Sequence, residues 1–170
     1  EYYLKIKTLI ETYEVNHKVR ALQDNSEKLQ MNWHIGRLLV KAQGGSSRAK
    51  YGDGLIKKWS MTLTHDYGMQ YSARELRKMR QFYILFPKWG SLSSTLSWTH
   101  YRYLLPIKNE NERNYYINQV ILNNLSVREL RDLIKSKAYD RLSYTDKESI
   151  KLIDSNNSTS LTIEDMIKDP

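Results

Sequence analysis

Cysteine is absent from the 170 residues of this chain. Disulfide scaffolds, Cys-ligated zinc and thiol catalysis are therefore excluded. Proline occurs only at Pro87, Pro106 and Pro170, so few points force a helix to stop. All seven glycines fall between Gly36 and Gly90. No apolar run approaches the ~18 residues that span a bilayer. The opening EYYLKIKTLIETYE is mixed in charge, unlike a signal peptide. Clean apolar–polar alternation is nearly absent, which removes the main signature of half-buried strands. What remains is ordinary globular usage, 40% apolar and 27% charged, enough for a core. The expectation is a soluble, intracellular, all-α multi-helix domain with one or two helix-turn-helix-like units.

Charge is present with one sign in excess. Lys plus Arg is 27 against 19 for Asp plus Glu, a formal net charge of +8. Residues 1–30 are neutral, residues 31–90 carry +8, residues 91–140 carry +2 and residues 141–170 carry −2. The excess thus sits in one segment, which fits a binding face better than a general solubility device.

Helical periodicity dominates the chain. Ile6, Ile10, Tyr13 and His17 share one face. Met31, Ile35, Leu38, Leu39 and Ala42 form a second stripe. Residues 2–42 are one long helix or two, broken near Val15-Asn16 or Asp24-Asn25. Gly44 suits the C-terminal cap. Leu55, Trp59, Leu63 and Tyr67, spaced by four, predict a helix over 54–67, with Gly68 just past its end. Ser72-Ala73-Arg74-Glu75 reads as a capping box opening the next helix, whose apolar face is Leu76, Met79, Tyr83 and Phe86. Ser97 is the expected cap of a short helix ending before Pro106. Asn109 is the expected cap of a helix to about Asn123, with Tyr116, Val120 and Leu125 buried. Ser126-Val127-Arg128-Glu129 is a second capping box, for a helix to about Tyr139. Both boxes share the pattern S-x-R-E-L-R, which marks either two related units or convergence of good caps. The SNNSTS stretch at 155–160 reads as a linker. These boundaries suggest an N-terminal helix or helix pair over 1–43, a helical domain over 44–140 and a linker over 141–170.

The strongest constellation is residues 54–86: helix, glycine-containing turn, capped basic helix. That is the order of a helix-turn-helix, whose second helix enters the major groove. Arg74, Arg77, Lys78 and Gln81 fall at i, i+3, i+4 and i+7, on one face, with Arg80 nearby. Arg and Gln match guanine and adenine edges, and Lys suits phosphate. Arg48, Lys50, Lys57 and Lys58 lie upstream, suited to the DNA backbone. The competing reading is a solvated helix face, which carries the same residue types. A second candidate face is Arg128, Arg131 and Lys135, interleaved with Glu129 and Asp132. Trp33, Trp59, Trp89 and Trp98 fit core packing better than base stacking.

Catalysis has little support. His17, His34, His65 and His100 are scattered, with no HExxH pair. His65 and Asp66 are adjacent and expected to point apart on a helix. The GGSSRAKYGDG stretch lacks the GK[ST] of a phosphate loop. Asp146, Glu148 and Lys151 match an acid-acid-lysine set, without the strands that normally display it. No metal site and no cofactor are expected.

With these residues in view, the chain resembles the N-terminal domain of YhcG-type nucleases. The matching pieces are NWHIGRLLV at 32–40, QGGSSRAKYGDGLIKKWSMTLTHDYG at 43–68, YSARELRKMRQFYILFP at 71–87, LSWTHYRYLL at 96–105 and NNLSVRELRDLI at 123–134. Residues 96–139 are also similar to the helix-turn-helix region of ParB-type partition proteins. The YhcG resemblance implies a helical domain followed by a PD-(D/E)xK nuclease domain, in the bacterial cytoplasm. The chain ends where that nuclease would begin, so it is expected to be no enzyme itself but the part that positions a C-terminal nuclease on duplex DNA. The alternative is an oligomerisation or protein-interaction module, for example a homodimer. No membrane partner is expected.

Overall fold

The computed structural model describes residues 1–19, 25–45, 49–93 and 95–149, except the side chains of 17–19, 49–51 and 91. Its helices are α1 (Tyr2–Val19), α2 (Asn25–Ala42), α3 (Ala49–Tyr67), α4 (Ala73–Leu85), α5 (Trp98–Leu104), α6 (Glu110–Asn123) and α7 (Val127–Lys135). Short 3-10 turns occupy Met69–Tyr71 and Trp89–Ser91, and residues 144–149 are again helical. No strand occurs among the described residues. The domain is all-α, as the periodicity predicts.

Two compact units divide the chain, Glu1–Leu105 and Pro106–Pro170. The expected division at 43/44 instead marks the end of α2, inside the first unit. In that unit α2 and α4 form the central pair, flanked by α1 and α3. The pairing is close because Gly36 has no side chain. A Cβ there would overlap the Met79 carbonyl oxygen and lie 2.8 Å from its carbon and 3.1 Å from Tyr83 Cβ.

The buried stripe of α4 is Leu76, Met79, Phe82 and Phe86, while Tyr83 is only half-buried. Phe82, absent from the predicted stripe, is the centre of the aromatic cluster. Its ring centroid lies 5.3 Å from Trp98, 4.9 Å from Tyr101 and 5.7 Å from Phe86. Helix α5 supplies two of those rings, and a four-residue spacing template drawn from α4 alone misses them. Trp33 is buried and donates its indole N–H to the Phe86 carbonyl at 2.7 Å. Trp98 is also buried, and Trp59 and Trp89 are half-buried against Tyr3 and Trp33. The tryptophans therefore pack the interior.

Helix α3 begins at Ala49 rather than near Gly54 and α7 stops at Lys135 rather than near Tyr139, while the expected caps form with one exception. Gly44 and Gly45 take positive φ after α2, and their N–H groups donate to the carbonyls of Lys41 and Val40. Gly68 has φ 104° and closes α3, a conformation that favours glycine. Ser97 caps α5, with His100 in the place usually held by Glu: the His100 ring accepts from the Ser97 backbone N–H at 3.0 Å. Asn109 caps α6 through the Glu112 N–H. Ser126 and Glu129 form the reciprocal box at α7. The exception is Ser72, which makes no side-chain cap bond at α4. Its partner Glu75 is drawn to two cations instead, as described below.

The second unit, taken by itself, packs α6 against α7. Tyr116, Val120 and Leu130 are buried there, and Leu125 is half-buried rather than buried. The Tyr116 hydroxyl accepts from the Tyr139 N–H at 3.4 Å. Beyond α7 the sequence suggested only a linker, yet Ser143 and Asp146 open another helical segment. Ser143 Oγ accepts from the Asp146 N–H and donates to its carboxylate at 2.6 Å.

Candidate nucleic-acid interface

Helix α3, the turn 68–72 and helix α4 occur in the predicted order, and α4 presents its outer face to solvent. The four positions expected on that face do not behave alike. Arg74 is exposed and makes no ion pair or hydrogen bond among the described residues. Arg77 turns toward α3, where its Nε lies 2.6 Å from Asp53 Oδ1. Lys78 turns the other way, with Nζ 2.7 Å from Glu75 Oε1. Gln81 is exposed, but its Nε2 donates to the Leu105 carbonyl at 2.9 Å. A helix advances 100° per residue, so Arg77 and Lys78 diverge around the axis and are claimed by different neighbours.

Two charge clusters result. In the first, Asp53 joins Arg77 to Lys57, whose Nζ is 3.3 Å from Asp53 Oδ2. The guanidinium of Arg77 and then the ammonium of Lys57 hold the Asp53 carboxyl below its ordinary range. Arg80 stands close enough to feel Arg77 and Asp53, and burial lowers its guanidinium pKa. Its Nη1 donates to Gln43 Oε1 at 3.3 Å, so Arg80 braces the end of α2. Lys57 remains 68% exposed and Lys58 is exposed without a partner among the described residues. Along α3 and α4, Lys57, Lys58 and Arg74 are thus exposed and Arg77 is half-buried, and among the described residues Asp53 is the carboxylate that pairs with Lys57 and Arg77. Arg48 and the side chain of Lys50 lie outside the described residues.

The second cluster is less open. Glu75 Oε1 accepts from Lys78 and from Arg102 Nη2 at 3.1 Å, and its side chain is 15% exposed. A charge-assisted bond to two cations in a half-buried place outcompetes the neutral amide of a helix end. That is why the box at 72–75 does not form. This cluster edges a cavity of about 600 Å³ among α1, α2, α4, α5 and the turn between α3 and α4. Asn32, 1% exposed, lines it, and neither its Nδ2 nor its Oδ1 has a hydrogen-bond partner in the described structure. The sequence reading missed this place. Its one local signal was a polar residue between Met31 and Trp33 on the core side of α2.

Further cations outside the predicted set, Lys5, Arg37 and Lys41, line a groove of about 530 Å³ between α1 and α2, together with His34. Burial, then Arg37, holds the His34 imidazole below its ordinary pKa. Arg37 and Lys41 are an i, i+4 pair that the reading of α2 as a core helix passed over.

On α7, Arg128 and Lys135 are exposed without partners among the described residues, and Arg131 pairs with Asp132 at 3.2 Å. His65 and Asp66 do meet, contrary to expectation: Nδ1 lies 2.8 Å from Oδ1 at the last turn of α3. The imidazole is 87% exposed, with no further group to orient it. Asp146 serves as a cap partner, and Lys151 lies outside the described residues. Among the described residues no group of three or more His, Asp or Glu is placed to hold a metal ion. No helix there is long and apolar enough to cross a membrane.

The DUF1016 N-terminal domain family matches residues 5–141. The chain belongs to this family. Within curated proteins, it is 30% identical to a protein named "Putative nuclease YhcG" from Escherichia coli (strain K12). That match covers 80% of this chain and 45% of the relative, so the chain spans a little under half of the relative's length. No solved structure matches. The DUF1016 N-terminal domain thus accounts for both units up to Arg141, and it associates this chain with a nuclease-type protein.

Proposed function

We propose that this DUF1016 N-terminal domain binds duplex DNA and positions a C-terminal PD-(D/E)xK nuclease domain on it, in the bacterial cytoplasm. The observation that carries the reading is the set of solvent-reaching cations Lys57, Lys58, Arg74 and Arg77 on α3 and α4, of which Lys57 and Arg77 share Asp53 among the described residues. It lies in the segment that holds the whole charge excess. In this reading Arg74 and Gln81 face the groove, while Lys57, Lys58 and Arg77 face phosphates. Arg48 and Lys50 extend the phosphate track, and Lys78 and Arg80 act as braces. The test is fluorescence anisotropy of a labelled duplex at low salt, comparing wild type with a Lys57→Ala/Lys58→Ala/Arg74→Ala/Arg77→Ala variant. Loss of more than tenfold in affinity is expected, and equal binding by both proteins refutes the assignment.

A second reading, a homodimerisation or partner-docking module, is favoured by α6. Ile121 and Leu122 are 42% and 77% exposed there. In that case Arg128, Arg131 and Lys135 would serve as an interface rim. Light scattering decides it: a dimer that persists without DNA and is lost in Leu122→Glu supports the second reading.

A further inference from the structure

We propose that the cavity containing Asn32 is a nucleotide site that grips the base by its hydrogen-bonding edge. The inference does not depend on the DNA reading of α3 and α4. Asn32 carries a donor and an acceptor side by side, both buried and both without a partner among the described residues. Buried polar groups in folded proteins are almost always paired, so an amide left so is a candidate ligand contact. A nucleobase edge presents the matching neighbouring acceptor and donor, and a carboxamide can pair with it bidentately.

The walls suit a flat ring. Met31 and Met79 supply polarizable thioethers, and Trp98 supplies an indole. The Trp98 indole is held at its angle by Phe82, 5.3 Å away between ring centroids. The volume, about 600 Å³, falls within the range of ligand clefts. The charged lining is mixed, two cations and two carboxylates, and Lys28 is the part of it that suits a phosphate. Lys28 and Arg102 both line the cavity. Of its carboxylates, Glu75 accepts from Lys78 and Arg102, and Glu14 accepts from the Tyr71 hydroxyl at 3.3 Å. Lys28 makes no ion pair among the described residues, which leaves it available to an anion. An edge reader, apolar walls and a cation thus converge on one space.

Such a ligand can be a free nucleotide or an unpaired nucleotide of a DNA strand. The chemistry at Asn32 is the same, and two arms separate the sources. In the first, the four nucleoside monophosphates and ribose 5-phosphate are titrated into the whole chain, followed by the Asn32 side-chain amide resonance and Trp98 fluorescence. At least one nucleoside monophosphate is expected to saturate, with ribose 5-phosphate at least tenfold weaker. Asn32→Leu should abolish that binding while holding or raising the melting temperature, because it removes two unpaired polar atoms. A merely structural Asn32 would lower it. Lys28→Met, at the edge of the site, should weaken nucleotides but not the parent nucleosides.

The second arm compares a duplex carrying one extrahelical base with its fully paired counterpart. Preference for the bulged duplex, lost in Asn32→Leu, assigns the unpaired nucleotide as the source. Saturation by free nucleotides without that preference assigns the free ligand. The inference is overturned if neither probe moves the Asn32 amide, or if Asn32→Leu and Lys28→Met bind like wild type. Binding to fully paired DNA through α3 and α4 is unaffected by Asn32→Leu, so failure of this site and failure of the DNA reading remain distinct.

Discussion

Replacing Gly36 by alanine isolates the contact on which the first unit is built. By helix propensity alone the change should help, since alanine is favoured over glycine inside a helix by about 1 kcal/mol. The tertiary contact opposes it. A methyl group at Gly36 would overlap the Met79 carbonyl oxygen and sit 2.8 Å from its carbon. The obstacle is backbone of α4, not the tip of a flexible side chain, so the two helices must part. Overpacking of this kind costs about 1–3 kcal/mol, and a backbone obstacle belongs at the upper end. The expected net loss is therefore about 2 kcal/mol. For a unit of this size that lowers the melting temperature by roughly 8–16 °C. The control is Gly54, exposed in α3, where an added Cβ meets nothing within 4 Å. Gly54→Ala should stabilise by up to about 1 kcal/mol. Thermal unfolding followed by circular dichroism reads both. A Gly36→Ala variant that melts at or above wild type would refute the close α2–α4 packing.

Three further outcomes follow from the site and its supports. Ser126→Ala should cost about 1 kcal/mol in denaturant unfolding, whereas Ser72→Ala should be nearly neutral, because Ser126 makes a side-chain cap bond and Ser72 does not. Trp33→Phe should destabilise by about 0.5–1.5 kcal/mol, since it removes the indole hydrogen bond to the Phe86 carbonyl. Burial pushes the Tyr101 phenol up to about 12. The folded state thus holds that proton more tightly than the unfolded chain does. The stabilisation is complete below about pH 10, the unfolded value, and is lost as pH rises toward 12. Phenolate absorbance should show Tyr101 ionising with alkaline unfolding rather than before it, together with the other raised phenols Tyr67, Tyr71 and Tyr116, and Tyr101→Phe should reduce that late component by one phenol.

The fold was legible wherever local chemistry decides. Ile6 and Ile10 in α1, Met31, Ile35 and Leu39 in α2, the glycines after α2 and α3, and the caps at Ser97, Asn109 and Ser126 all depend on neighbours within one or two turns, whereas Tyr13, Leu38 and Ala42 are half-buried and the His17 side chain lies outside the described residues. Partners distant in sequence were not legible. Phe82 is central because Trp98 and Tyr101 arrive on α5, and Gly36 matters because Met79 arrives on α4. The pattern S-x-R-E-L-R makes the point most directly. At α7 its serine and glutamate cap the helix, whereas at α4 the same glutamate is taken by Lys78 and Arg102. The candidate face divided for the same reason. The spacing placed Arg77 and Lys78 together, and Asp53 and Glu75 pull them apart. Asn32 escaped notice because its cavity is assembled from four helices and a turn.

The central proposal, duplex DNA held by the cations of α3 and α4, is tested most directly by the salt dependence of that binding. Each phosphate neutralised contributes a slope of about −0.9 to log K against log salt. Removing Lys57, Lys58, Arg74 and Arg77 together should therefore make the slope shallower by about 2.7–3.6 units, allowing for groove rather than phosphate contact by Arg74. A slope unchanged by the four substitutions, or no binding by wild type at low salt, would contradict the account.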